Sequence, residues 1–261
     1  MTQIREAVIV DVVRTAFGKR KGALAGWHPI DLLGFTLRNL VERTGVDPER
    51  LDDVVCGCIT QSGEQGCNVA RNAVVAGGLP WTLSATTIDR QCGSSQQALH
   101  FVAASVMSGM YDLAVVCGVE SMTRAPMASN ARGGTGPFST AFMDAIDQRL
   151  WAQFRVAQEL GQAAGLTRED LDAYALESHR RAAEATRSGH FAREVIPVPI
   201  KDEEGRLTGD TLSTDEGIRY DASLEKLAAL PPAQSWEPET APDITAGNSS
   251  QMTDGAAAAL I

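Results

Sequence analysis

Positive charge is scarce in this sequence. Its 261 residues include 23 Lys and Arg against 33 Asp and Glu, which gives a formal net charge of −10 at pH 7. A chain this acidic is repelled by the phosphates of nucleic acids and by anionic membrane surfaces, so we expect neither as a partner. A polyanionic ligand can bind such a protein only at a local basic patch.

Long apolar runs and a secretory leader are also lacking. No segment reaches the length of a membrane span, and the first residues do not have the pattern of a signal peptide. The five cysteines are an odd number, which favours reduced thiols in the cytoplasm over a disulfide framework. Cys56 and Cys58 form a C-x-C pair without a second pair at ligand spacing, so we expect no metal site there.

The sequence does contain enough apolar material for a sizeable core. Hydrophobic residues make up 44% of the chain and charged residues 21%, values typical of one or two folded domains. The order of apolar runs and helical patterns predicts an α/β fold layered around a mainly parallel sheet. Strands are predicted over 7–12, 54–59, 84–88 and 113–117, and helices from Pro29, from Val69 and after Cys92.

Cys92 lies at a predicted strand-to-helix turn. The helix after it is expected to end at Gly109 and to place one set of residues on a single face: Ala98, Phe101, Val102, Ser105 and Val106. The unpaired N–H groups and the dipole of a helix N-terminus favour the thiolate, which is the nucleophilic form of cysteine. The same N–H groups can hold an oxyanion. Position alone nevertheless favours a structural role, because cysteine is commonly a small buried hydrophobe.

The residues around Cys92 resemble the nucleophile motif of the thiolases, N-x-x-C-(G/S)-S-G-x-x-A. Asp89 stands where that motif has Asn, Ser95 replaces a frequent glycine and Gln96 replaces Leu or a similar residue, while the centre of the motif is retained. The resemblance makes Cys92 the candidate nucleophile.

Four further segments resemble thiolase motifs. Residues 14–24 match R-T-P-(F/I)-G-x-x-x-G-x-(L/F), with Ala16 at the usual proline. Their glycines and cations do not form the G-x-x-x-x-G-K-(S/T) phosphate loop. The other three segments are the polar loop 61–71, the strand end 118–123 and residues 244–256. The resemblance covers nearly the whole chain but only the N-terminal part of the family.

The resemblance implies a layered α-β-α-β-α core, of which this chain carries the N-terminal half, with a mainly helical loop-domain insertion. The implied ranges are 1–124 for the core, 125–243 for the insertion and 244–261 for the return to the core. Composition also shifts near 124–126, where buried strands give way to loops and amphipathic helices. One of these helices is expected to start with a capping box at Thr167 and Asp170.

The resemblance also implies a coenzyme A site. Arg219 matches an arginine near the nucleotide, where a guanidinium suits phosphate or adenine. Ala246 and Gly247 match backbone beside the pantetheine arm, and Ser250 matches a serine that hydrogen-bonds it. Without the resemblance, Arg219 would be read as a surface charge and 247–250 as a turn. Asn248 also fits a glycosylation sequon, which has little weight without a signal peptide.

Two features separate the chain from a complete short-chain thiolase. Ala152 and Gln153 occupy the positions of a common His-Met pair, so acyl specificity cannot be transferred from those enzymes. The family's second core half follows the point at which this sequence stops, and it supplies the histidine of a G-H-P motif, a second cysteine in C-x-G and the asparagine of N-E-A. The four histidines here (His28, His100, His179 and His190) do not match the G-H-P motif.

The implied reaction is ping-pong acyl transfer between a 3-oxoacyl-CoA and CoA through a Cys92 thioester. It implies CoA and acyl-CoA as substrates, no tightly bound cofactor, and a homodimer or homotetramer. A ketoacyl synthase is a lesser alternative, since its nucleophile motif differs and it lacks the insertion. A non-catalytic truncated or degenerate thiolase that binds acyl-CoA or a partner is the other alternative, since no recognisable base accompanies Cys92. We therefore expect this chain alone to be inactive.

Overall fold

The computed structural model describes residues 5–150, 152–233 and 241–261, which form two compact units. The first unit contains the chain up to Asn130, Phe191–Gly217 and Met252–Ile261. The second contains Ala131–His190 and Ile218–Gln251. Residues 191–217, which the sequence analysis assigned to the insertion, pack with the first unit. The predicted role of the insertion as a domain stays a prediction.

The first unit carries all nine described strands and three helices. The strands are β1 (Asp11–Thr15), β2 (Gly18–Lys19), β3 (Asp53–Gly57), β4 (Ala85–Ile88), β5 (Ala114–Ser121), β6 (Val195–Ile196), β7 (Val198–Lys201), β8 (Leu207–Leu212) and β9 (Thr253–Leu260). The helices are α1 (Pro29–Thr44), α2 (Val69–Ala76) and α3 (Ser94–Ser108). The second unit carries α4 (Thr140–Ala145), α5 (Gln153–Ala163), α6 (Arg168–Arg187) and α7 (Leu224–Ala228).

The main sheet has seven strands in the order β4-β3-β5-β9-β1-β6, with β2 paired to the start of β9. β9 runs antiparallel to β5, β1 and β2, and the remaining pairs are parallel. All strands of this sheet except β9 therefore point the same way, which confirms the predicted mainly parallel sheet. β7 and β8 form a separate antiparallel pair.

The first strand starts later than predicted. It was expected over 7–12, but β1 begins at Asp11. Val8, Ile9 and Val10 are 58%, 58% and 57% exposed. Val10 still donates its N–H to the carbonyl of Leu260 at 2.8 Å, but no described strand lies beside the residues before it. An apolar run indicates where a strand can form, whereas its extent depends on a distant partner strand.

Local sequence signals fix the ends of α1. His28 is the N-cap, and its Nδ1 accepts from the N–H of Ile30 at 3.3 Å. Pro29 follows at the first helical position, where its missing N–H has no intrahelical partner to lose. Gly45 ends the helix in the left-handed conformation, with φ of 66°. The helix therefore starts at Pro29, as the sequence predicts.

Helices cover both faces of the main sheet. The larger core cluster lies on the side of α1 and α2 and includes Leu33, Leu37 and Val74. The smaller cluster joins Val102 of α3 to the other face of the sheet. The result is an α-β-α layering that agrees with the predicted fold class.

The buried stripe of α3 is narrower than predicted. Ala98, Val102 and Val106 are buried, as expected. Phe101, predicted on the same face, is 52% exposed. Residues four apart form a single row along a helix, and the buried apolar residues of α3 follow that row.

The second unit confirms the capping box that begins α6, in which the Thr167 and Asp170 side chains bond each other's backbone N–H groups. α6 buries Asp172 and Ala183. The Asp172 carboxylate accepts from Arg168 at 2.8 Å and from Asn248 at 3.0 Å, which offsets the cost of burying its charge. Within the described ranges, no helix is long and apolar enough to cross a membrane.

Candidate active site at the carboxyl edge of the sheet

Cys92 lies where predicted, in the turn between β4 and α3, and it is exposed. Gln91 just before it has a φ of 51°, a left-handed conformation that side chains other than glycine rarely adopt. Short hydrogen bonds hold the turn: Ser94 Oγ donates to the Gln91 carbonyl at 2.6 Å and accepts from Arg90 N–H at 2.9 Å. Asp89 Oδ1 accepts from Gln91 N–H at 2.7 Å. The strained turn is thus stabilised by its own neighbours.

The N-terminus of α3 is suited to an anion. Gly93 occupies the N-cap position, and no described side chain caps the first turn of the helix. The positive end of the helix dipole therefore lies one residue beyond Cys92 without a built-in carboxylate or hydroxyl partner. Such a position is suited to an oxyanion formed at Cys92.

Two glycines let α3 approach the sheet beside Cys92. A Cβ on Gly57 would overlap the backbone of Ser94 and Ser95, and one on Gly118 would lie 3.2 Å from Ser95 Cβ and overlap its hydroxyl. Gly57 and Gly118 are register partners in β3 and β5. The first turn of the helix consequently rests on the last residue of β3 and on the middle of β5, which sets the depth of Cys92 above the sheet.

A buried amide and a carboxylate connect the loops near the ends of these strands. Gln65 is fully buried; its Nε2 donates to Glu120 at 3.0 Å and to the Thr60 carbonyl at 2.9 Å, while its Oε1 accepts from Ser121 N–H at 2.6 Å. Glu120 also accepts from the N–H groups of Ile59 at 2.9 Å and Thr60 at 3.2 Å. The network ties the loop after β3 to the end of β5.

The buried cysteines are poor nucleophiles. Burial and the neighbouring carboxylate of Glu120 raise the pKa of Cys58 well above that of a free thiol. A hydrogen bond with Cys117 and burial raise the pKa of Cys56 strongly as well. Cys67 and Cys92 are the exposed cysteines. No cluster of three or more His, Cys, Asp or Glu in the described part of the chain is arranged to hold a metal ion.

Three of the histidines have identifiable contacts of their own. His28 caps α1, and its Nε2 lies 3.7 Å from Glu64. His179 Nδ1 accepts from the backbone N–H of Arg219 at 3.2 Å, and burial together with the Arg219 charge lowers the pKa of this histidine. His190 Nδ1 lies 2.7 Å from Ser188 Oγ. His28 therefore acts as a helix cap, as its sequence setting indicates.

The candidate coenzyme A residues all lie in the second unit, whereas Cys92 lies in the first. Arg219 is exposed, and next to it Tyr220 carries the Arg187 guanidinium over its ring at 5.2 Å. Ala152 is the N-cap of α5 and Gln153 its first residue. Trp151, beside them in the sequence, lies outside the described residues.

Ala246, Gly247 and Ser250 belong to a turn built around Asn248. The Asn248 amide donates to Asp172 at 3.0 Å and to the Asp243 carbonyl at 2.9 Å, so it is engaged within the protein and does not present itself as a glycan acceptor. Gly247 packs tightly, since a Cβ there would lie 2.5 Å from Leu227 Cδ2. Ala246 and Ser250 are exposed.

Sequence reasoning missed Gly57 and Gly118, on which the first turn of α3 packs, and Gln65 and Glu120, which link the loop after β3 to the end of β5. A signal for the glycines was present, because the dipeptide Cys-Gly occurs at 56–57 and again at 117–118. Both copies fall near the ends of predicted strands, and they pair residue for residue in the sheet.

Comparison with known proteins identifies the family to which the chain is similar. The family model described as "Thiolase, N-terminal domain" matches residues 7–261. A steroid 3-ketoacyl-CoA thiolase of Mycobacterium tuberculosis is 40% identical over 98% of this chain and 61% of its own length. A 3-ketoacyl-CoA thiolase of Saccharophagus degradans is 41% identical over 99% of this chain and 64% of its own.

A solved structure supports the same assignment. The crystal structure of the Bacillus anthracis acetyl-CoA acetyltransferase has a TM-score of 0.83 and 32% sequence identity, and the alignment covers 100% of this chain and 66% of that one. The chain thus spans less than two thirds of the length of these relatives. The matched family model, the sequence identities and the shared fold together show that this chain belongs to the thiolase family.

Proposed function

We propose that the protein is an acyl-CoA C-acyltransferase of the thiolase type, with Cys92 as its nucleophile. The observation that carries the proposal is the placement of an exposed cysteine beside the first turn of α3, which has no side-chain cap and packs closely on Gly57 and Gly118. The thiolase names of the relatives support this function over a non-catalytic acyl-CoA-binding fragment.

In the proposed reaction the Cys92 thiolate attacks the keto carbon of a 3-oxoacyl-CoA. The bond between that carbon and the α-carbon breaks, acetyl-CoA leaves after its α-carbon is protonated, and a shortened acyl group remains as a thioester on Cys92. Free CoA then takes the acyl group in the second half of the ping-pong cycle. We propose the Cys92 backbone N–H as one donor to the oxyanion that forms in each half.

We propose that CoA binds along the second unit through Arg219, Ala246, Gly247 and Ser250. Three features support this: Arg219 and Ser250 are exposed, the turn is fixed by Asn248, and Gly247 leaves no room for a side chain. CoA is a substrate here, and we propose no tightly bound cofactor. We further propose that the protein forms a homodimer or homotetramer in the cytoplasm and that neither nucleic acids nor membranes are its partners.

Mass spectrometry after incubation with acetyl-CoA tests the nucleophile. Acylation is only the first half of the cycle, so we expect it even from a chain that does not turn over alone. The acetyl group should lie on the peptide that contains Cys92, be lost in Cys92→Ala and be retained in Cys67→Ala, the matched control at the other exposed cysteine. A label on both cysteines would mean unselective acylation, which contradicts the assignment. A chain that binds CoA but takes no label on Cys92 would support the non-catalytic alternative.

A further inference from the structure

A histidine of α6 fixes the backbone of Arg219. This arginine lies in the loop before α7, and its N–H donates to His179 Nδ1 at 3.2 Å. Its carbonyl accepts from the N–H of Ala222 at 3.3 Å. His179 is half-buried, whereas Arg219 is exposed. Both residues belong to the second unit, so the contact lies within that unit.

The hydrogen bond requires a neutral imidazole. A ring nitrogen that accepts a hydrogen bond carries no proton, so His179 holds its single ring hydrogen on Nε2. Burial, and after it the charge of Arg219, lowers the pKa of His179 and maintains this form at neutral pH. A proton taken from solvent would occupy Nδ1 and leave the Arg219 N–H without its acceptor. It would also place a second positive charge near the Arg219 guanidinium.

The helix that carries His179 brings no charge against its ring. The residues one turn away on either side along α6 are all apolar: Ala175, Leu176, Ala182 and Ala183. The nearest charged side chains of the helix pair with one another, Arg180 with Glu177 at 2.6 Å and Arg181 with Glu177 at 2.7 Å. Residues one or two apart on a helix do not face each other, so these charges lie to the side of the ring.

The segment that faces α6 brings a cation toward the ring. In the loop before α7, Arg219 is the charged group that acts on His179, while Asp221 pairs with Lys226 of α7 at 2.5 Å. Glu225, the carboxylate of α7, is exposed. Among the described residues, Arg219 is therefore the charge that a protonated His179 would meet.

We propose that His179 is a positioning residue, whose neutral imidazole fixes the backbone of Arg219 for CoA binding and releases it on protonation. The inference rests on the proposed function, in which Arg219 contacts CoA. His179 then makes the affinity for CoA depend on pH without touching the ligand. Because its folded-state pKa is lowered, the hydrogen bond is complete above the usual value of about 6.5 and is lost as pH falls through the lower folded value.

Calorimetric titration with CoA at pH 8 and pH 5.5 tests the proposal. His179→Asn keeps an acceptor oxygen near the position of Nδ1 but cannot be protonated. It should bind CoA as wild type does at pH 8, and about threefold more tightly than wild type at pH 5.5, the effect of one hydrogen bond. The phosphates of CoA change protonation in this range whichever variant is present, so the comparison is made between variants at one pH.

Two further variants complete the titration. His190→Asn is the matched control, since His190 is an exposed histidine of the same unit, and it should follow wild type at both pH values. His179→Ala has no acceptor, favours the helix and should bind CoA about threefold more weakly than wild type at pH 8. Equal Kd values for wild type and His179→Asn at pH 5.5, or the same shift in His190→Asn, would overturn the proposal.

Hydrogen exchange without ligand separates this inference from the proposed function. At pH 5.5 the Arg219 amide should exchange faster in wild type than in His179→Asn, because only the wild-type acceptor is lost to protonation. Equal exchange in the two proteins would show that the imidazole does not hold Arg219. Arg219→Gln with the wild-type affinity for CoA would instead contradict the proposed CoA site, while the exchange of the Arg219 amide still decides whether His179 fixes that backbone.

Discussion

At the scale of single residues, the position of the candidate nucleophile depends on two glycines of the sheet. Gly57 and Gly118 have no Cβ, and this lets the first turn of α3 rest directly on β3 and β5. The cysteines differ in reactivity because they differ in burial. Cys56 and Cys58 are buried and inert, whereas Cys67 and Cys92 are exposed to reagents.

Gly57→Ala should destabilise the fold and disturb the Cys92 turn. Its new Cβ would overlap the backbone of Ser94 and Ser95, so the helix must move. We expect the free energy of unfolding in urea to fall by about 1–3 kcal/mol, as for other overpacked sites, with an altered rate of Cys92 alkylation. Gly161→Ala is the control: it has open space at its Cβ inside α5, and should be neutral or stabilising by about 0.5–1 kcal/mol. Similar losses in both variants would contradict the close-approach interpretation.

Substitutions of Gln91 test whether the backbone of the Cys92 turn is strained. Its φ of 51° is costly for a side chain and most costly for a β-branched one. Gln91→Val should lower the free energy of unfolding by about 1–2 kcal/mol relative to Gln91→Gly. Equal stability of the two variants, measured by urea denaturation, would show that the turn is unstrained.

Alkylation should separate the cysteines by burial. At pH 8 iodoacetamide is expected to modify Cys67 and Cys92 in the folded protein and to leave Cys56 and Cys58 unmodified, because their raised pKa values keep them as thiols. All of them should react in urea. Peptide mass spectrometry gives the readout, and modification of Cys58 in the folded chain would contradict the burial shown here.

At the scale of elements, the carboxyl edge is held together by loops that bond each other. The Arg124 guanidinium donates to Glu64 at 2.8 Å and joins the loop after β5 to the loop after β3. Gln65 and Glu120 make a second link between the same elements. These contacts keep the ends of β3 and β5 in one arrangement.

The Glu64–Arg124 pair makes stability depend on pH. The Arg124 hydrogen bond holds the pKa of Glu64 below its usual value, so the folded state binds that proton less tightly than the unfolded state does. The stabilisation is therefore complete above the unfolded pKa of about 4.3 and is lost as pH falls through the lower folded value. Glu64 is about a third exposed, so we expect less than about 1 kcal/mol.

A comparison of denaturation curves tests this dependence. Glu64→Gln should lose less stability than wild type between pH 5 and pH 3, because it has no carboxylate to protonate. Glu159→Gln, at an exposed pair within α5, serves as the control. If Glu64→Gln and wild type lose stability in parallel, the pair contributes nothing.

At the scale of the whole molecule, the chain divides into a unit built on the sheet and a unit that carries the candidate CoA residues. We expect the protein of 27.8 kDa to assemble as a homodimer or homotetramer. Light scattering coupled to size exclusion should give a mass at two or four times that value, and a concentration-independent monomer would contradict the assembly.

The sequence by itself determined features that depend on near neighbours. The starts of α1 and α2, the capping box of α6 and the position of Cys92 between strand and helix all follow from residues within a few positions of one another. The motifs around Cys92 and at 244–256 determined the family in the same way.

Tertiary structure decided what depends on distant partners. Only the pairing with β9 set the start of β1, and only the register of β3 and β5 brought Gly57 and Gly118 together under α3. The exposure of Val8, Ile9 and Val10 and the burial of Cys58 were decided in the same way. Helix caps and turns form between residues close in the chain, whereas strand pairing and burial join residues far apart, so their outcome depends on the whole fold.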